Sequence, residues 1–107
     1  MESQTNASQG AAFLTHVMPG WEDRVDLSRL NMVSETDCVA GQLYDGYVNA
    51  LYSLFPGMRA TDKHAVAVRF GFDLPDWEGE YNPEERETQW TRLREEWTHI
   101  ITDLRSK

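Results

Sequence analysis

The residues from Asn82 to Lys107 leave this chain the least freedom. Trp90, Leu93, Trp97, Ile100 and Leu104 recur at spacings of three, four, three and four, the a/d stripe of a heptad pattern. Ahead of them, Asn82-Pro83-Glu84-Glu85 supplies an N-cap residue, a proline suited to the first helical position, and acids over the positive end of the helix dipole. Arg105 and Lys107 complement the opposite end. The spacing predicts a helix over 83–105, and the rest of the chain must cover its stripe. A stripe of this length serves an intramolecular core or a homodimer equally well.

A second helical pattern precedes it. Val39, Leu43, Tyr47, Ala50, Leu51 and Leu54 predict a helix over about 35–55, ended by Pro56-Gly57. Ser34 and Asp37 have the spacing of a capping box. Asp45-Gly46 is a good hairpin dipeptide, but residues 44–54 alternate poorly and Asn49-Ala50 are weak strand formers, so a helix is the better reading. Gly41 and Gly46 each cost about 1 kcal/mol inside a helix. They are expected to let Trp90 or Trp97 sit close, or else to open beside Tyr44, Tyr47 and Tyr52 as a binding face.

The remaining segments are shorter. Residues 61–70 read as a third helix, capped by Thr61 and ended at Gly71, with Phe70 and Phe72 on either side of the glycine. Phe13, Leu14, Val17 and Met18 predict a short helix at about 11–18 that Pro19-Gly20 stops. Residues 21–32 read as an irregular connector with a helical turn, and 73–81 as a loop. The expected fold is mainly α: a small bundle of three main helices (about 35–55, 61–70 and 83–105) plus the short N-terminal one. The 83–105 helix is expected to dock on the 35–55 helix. Residues 1–10 are a disordered polar leader in this reading, and 11–107 form a single helical domain.

Charge then narrows the function. The net charge is -8 and the pI about 4.7, which argues against direct nucleic-acid binding and against an anionic membrane surface. The acidity is concentrated: between residues 76 and 90 six carboxylates, Asp76, Glu78, Glu80, Glu84, Glu85 and Glu87, stand against Arg86 alone. Aromatic residues make up 11% of the chain, too many for a disordered polyanion. The polar N-terminus lacks the features of a signal peptide and no apolar run reaches a membrane span, so the expected compartment is the cytoplasm.

Groups suited to catalysis are few. One cysteine, Cys38, excludes an internal disulfide and a Cys-rich metal site. It falls near a helix N-terminus, but Glu35 and Asp37 oppose a thiolate and no histidine is close in sequence, so it reads as structural. Glu96-x-x-His99 matches half of a di-iron signature whose other half is missing. No phosphate-binding loop, zinc helix or nucleophile elbow is present.

Trp21 to Leu27, Cys38-Val39-Ala40-Gly41-Gln42-Leu43-Tyr44, Phe70-Gly71-Phe72, and Leu93 to Trp97 with Ile100 carry a resemblance. In this order they resemble a loose group of short proteins of actinobacteria and their phages. The resemblance spans residues 12 to about 104 and implies a small helical protein. It implies no reaction and transfers no site residue.

The sequence therefore predicts a non-enzymatic acidic protein that binds another protein, as a phage or actinobacterial regulatory or accessory factor. The partner carries a basic surface, and Asp76, Trp77, Glu78, Glu80, Glu84 and Glu85, with Tyr44 and Tyr47, are the expected contact residues. No catalytic residue, cofactor or metal is expected. The alternatives are an acidic DNA-mimic inhibitor and a small thiol- or metal-dependent enzyme using Cys38, His64 or His99.

Overall fold

A computed structural model describes residues 5–107, which form five α-helices and one 3-10 turn with no strand. The first helix, α1, spans Asn6–Val17, so it starts five residues before the expected 11. Thr5 caps it, its hydroxyl accepting from the Ser8 amide at 3.0 Å. Residues 5–10, expected as leader, are therefore cap and opening turns, while 1–4 lie outside the described residues. The early turns are buried through small side chains. Ala7 is 0% exposed, and a Cβ on Gly10 would fall 1.9 Å from the Phe70 carbonyl oxygen. Only hydrogen at that position lets α1 lie this close.

The expected 35–55 helix is two helices. α2 spans Val39–Tyr44 and α3 spans Tyr47–Leu54. Between them Asp45 and Gly46 take positive φ of 59° and 128°, the turn chemistry that the dipeptide favours, used here between helices. The glycines do not admit Trp90 or Trp97. A Cβ on Gly41 would fall 2.1 Å from the Glu35 carbonyl oxygen, so the 35–36 backbone folds tightly over α2. That same carbonyl accepts from the Tyr47 amide at 2.8 Å and ties the start of α3 to it. The Ser34 hydroxyl does accept from the Asp37 amide, but the α2 cap is Cys38, whose sulfur accepts from the Gly41 amide at 3.2 Å.

α4 spans Ala60–Arg69, with Arg59 rather than Thr61 at the cap position and no side-chain cap bond. The last helix, α5, spans Pro83–Arg105 and has the expected Asn82 cap, bonded to the Glu85 amide. It does not dock on the 35–55 segment. It packs against α1 and the Trp21–Asp23 turn. Its buried line is Leu93, Trp97 and Ile101, with Trp90, Ile100 and Leu104 half-buried at the edges. Each step of four drifts by about 40° around the helix, so this buried line crosses α5 obliquely, under several short elements instead of along one long partner helix.

Trp97 is the centre of the core. Its indole N–H donates to the Gly71 carbonyl at 2.7 Å, Phe72 stacks on its face at 5.6 Å and Trp21 meets it edge-on at 5.8 Å. Gly71 holds φ of 73°, and a Cβ there would lie 2.6 Å from the Ala7 amide, so the turn that delivers Phe72 also packs on α1. A second aromatic group brings Phe13, Phe55 and Phe70 together, each ring stacked near the other two. The 21–32 connector buries Trp21, Val25, Leu30 and Met32. Two α5 arginines hold it down: Arg94 donates to the Leu30 carbonyl at 2.8 Å, and Arg105 donates to the carbonyls of Glu22 and Val25.

Candidate interaction site

Phe72 places the next residue, Asp73, where three elements meet. The Tyr47 hydroxyl of α3 donates to Asp73 Oδ2 at 2.8 Å. His64 of α4 brings Nδ1 within 3.4 Å of the same oxygen and Nε2 within 3.5 Å of Asp76 Oδ1. The second Asp73 oxygen accepts from the Leu74 amide at 2.8 Å. Burial, reinforced by the hydrogen bond to this carboxylate, pushes the Tyr47 phenol far above the usual tyrosine range. Asp73 thus roots the 73–82 segment on α3 and α4.

The far end of the segment is rooted on α5. Trp77 donates its indole N–H to the Glu80 carbonyl at 2.8 Å and meets Tyr81 edge-to-face at 5.5 Å. The Arg86 guanidinium lies 5.8 Å from the Trp77 ring and 5.7 Å from the Trp90 ring, bridging loop and helix. Between the two roots the loop arches outward. Asp76, Trp77, Glu78, Glu80 and Glu85, with Pro75, Arg86 and Gln89, line an open hollow of about 540 Å³. Glu84 is exposed beside it in the first turn of α5, where its carbonyl accepts from the Thr88 hydroxyl.

Five of the eight sequence-predicted contact residues therefore share one hollow, and Glu84 adjoins it. Tyr47 sits at the root of the arm, its hydroxyl already bonded. Tyr44 ends α2, half-buried, and burial raises its phenol against the opposing field of Arg24. The two tyrosines are not brought together with the acids. Sequence reasoning missed Asp73, singled out His64 only for thiol or metal chemistry and counted Arg86 only as the lone base among the acids, whereas all three shape the arm. Nine residues separate His64 from Asp73 and twenty-six separate Tyr47 from it, too far for a local pattern to link them.

The charges are exposed and largely unspent. Among the described residues Glu78, Glu80, Glu84, Glu85 and Glu87 form no ion pair; Asp76 approaches His64 with its side chain 94% exposed. Cys38 lies elsewhere, 2% exposed. Burial pushes its thiol up, and the Gly41 amide only partly offsets that. Glu96 and His99 line different hollows. No group of three or more His, Cys, Asp or Glu suited to a metal occurs among the described residues, and none of their helices is long and apolar enough to cross a membrane.

No protein-family model, curated protein or solved structure matches the chain.

Proposed function

We propose that this protein is a non-enzymatic binding factor that recognises a basic protein surface through the acidic arm between Asp73 and Glu87. One observation carries the reading: Asp76, Glu78, Glu80 and Glu85 line a single open hollow around Trp77. The arm is braced at both ends, so its carboxylates face solvent from a fixed backbone and lose little freedom on binding. Trp77 supplies the aromatic anchor that interfaces favour at their centres. A regional excess of negative charge also steers a basic partner toward this face. In this reading the protein acts in the cytoplasm as a regulatory or accessory factor.

A nucleic-acid mimic is the narrower version of the same idea. It needs carboxylates in a regular double row. Along α5, successive positions turn by about 100°, so Glu84 and Glu87 share one side while Glu85 points away from them; three acids within one turn make no regular double row, which favours protein recognition.

The test is capture from an actinobacterial lysate with the wild-type chain and with an Asp76→Asn, Glu78→Gln, Glu80→Gln variant. The expected result is a basic protein retained by the wild type at low salt, released by added salt, and not retained by the variant. Equal retention by both chains, or no salt-sensitive partner, rejects the reading. A captured protein that duplex DNA displaces would move the reading to the mimic.

A further inference from the structure

The α5 face left open beside the 31–33 connector has a pattern of its own. Met32 and Val33 on one side, and Tyr81, Trp90 and Thr91 on the other, border a groove of about 380 Å³. Five large hydrophobic side chains stay exposed on the described molecule, and two of them, Val33 at 63% and Tyr81 at 59%, flank this groove. Its ionic residues are Arg86, Glu87 and Arg94. In a chain of net charge -8, this apolar surface is locally cationic, so another acidic molecule can approach here without the repulsion it meets elsewhere.

The order of those charges identifies the molecule. Glu87 and Arg94 lie seven residues apart on one side of α5, with Trp90 and Thr91 midway between them. An acid and a base placed symmetrically about a centre form a self-complementary pattern. If a second α5 runs antiparallel across a two-fold axis at that centre, each Glu87 meets the other copy's Arg94. Two identical ion pairs then flank an aromatic middle, as an isologous interface requires. Arg94 is already held by its Nε bond to Leu30, which orients the outer guanidinium nitrogens and reduces the freedom lost on pairing.

We propose that this groove seats a second copy of the chain, α5 pairing antiparallel with itself about an axis between Trp90 and Thr91 and Glu87 of each copy facing Arg94 of the other. The stripe on α5 then divides its work. Leu93, Trp97 and Ile101 fill the core of one copy, and the neighbouring face joins two. The groove shares Tyr81, Arg86 and Glu87 with the base of the acidic arm, but self-association through it needs no basic partner.

Sedimentation equilibrium over a range of concentrations tests it on the purified chain, without any partner. The expected result is a mass that rises from 12.4 kDa toward twice that value, with weaker association at high salt. Glu87 is exposed, so Glu87→Arg should keep the fold, checked by circular dichroism, and remain monomeric because two like charges now meet in each pair. Arg94→Glu should also be monomeric. An equimolar mixture of the two variants should dimerise again, because each copy restores the partner that the other lost. A mixture that stays monomeric, a Glu87→Arg chain that dimerises as the wild type does, or a wild type that is monomeric throughout would each overturn the proposal. Thr91→Cys is the second probe if Arg94→Glu unfolds: air oxidation should give a covalent dimer of otherwise unaltered chains, and a chain that stays uncrosslinked under conditions of wild-type self-association also overturns the proposed axis.

Discussion

Trp97 and Trp77 are the same side chain used in opposite ways. Trp97 is 0% exposed, and its partners Gly71, Phe72 and Trp21 come from distant parts of the chain. Trp77 is half-exposed, and its closest partners Glu80 and Tyr81 lie within one short loop. One residue closes long loops in the chain and cannot be satisfied until the fold is complete. The other organises its own neighbourhood and is presented by a fold that does not depend on it. The contrast teaches that aromatic content alone says little about where a molecule is stable and where it is available. What separates core from arm is the sequence distance of each aromatic's partners.

The contrast can be broken most forcefully at Trp97. Trp97→Ala should cost about 3–5 kcal/mol in urea unfolding, because it removes the packed indole and leaves the Gly71 carbonyl unpaired. Trp77→Ala should change stability by no more than about 1 kcal/mol. If the two losses are equal, the arm is part of the core and the distinction fails.

Gly10 gives the next largest effect. Gly10→Ala forces a Cβ into the Phe70 carbonyl and should cost about 1–3 kcal/mol, measured by thermal melting. The same change at an ordinary helical glycine would stabilise by up to about 1 kcal/mol. A rise in melting temperature would therefore show that α1 does not approach α4 so closely.

Tyr47 sharpens the boundary, since it joins α3 to the root of the arm. At neutral pH Tyr47→Phe should cost about 1 kcal/mol through the lost bond to Asp73. The phenol is held protonated in the folded state and its pKa is raised there. Its contribution is therefore complete below the ordinary tyrosine range near pH ~10 and is lost as pH climbs beyond it. Stability measured against pH should fall less steeply for Tyr47→Phe than for the wild type on the alkaline side. Tyr44, raised by burial as well, keeps some slope in both chains. Identical alkaline slopes would mean that Tyr47 reaches solvent freely and that the arm is not rooted there.

α5 was legible because its cap, its N1 proline, its end charges and its periodicity agree on one helix. Agreement among independent signals makes a segment readable. Ile101 escaped because a heptad template steps over it, whereas the buried line Leu93, Trp97, Ile101 runs obliquely around the helix under elements that the template does not anticipate. The start of α1 escaped for a different reason. Its burial rests on Ala7 and Gly10, which fit through smallness, and smallness leaves no hydrophobic period to count. The break between α2 and α3 shows two signals in competition: the apolar spacing runs through Asp45-Gly46 without losing phase, while the local turn preference ends one helix and starts another. The acidic arm was visible as a run of charge, yet its rooting was not, because Tyr47, His64 and Asp73 meet only in the folded chain.

The cap on α2 has a practical consequence. Cys38 is the sole thiol of the chain, and its sulfur is enclosed by the Gly41 amide and the Glu35 carbonyl. An alkylating reagent meets it only when the 35–41 segment lifts away. The rate of alkylation under native conditions is thus a clock for that opening, carried by the unaltered chain and readable by mass alone.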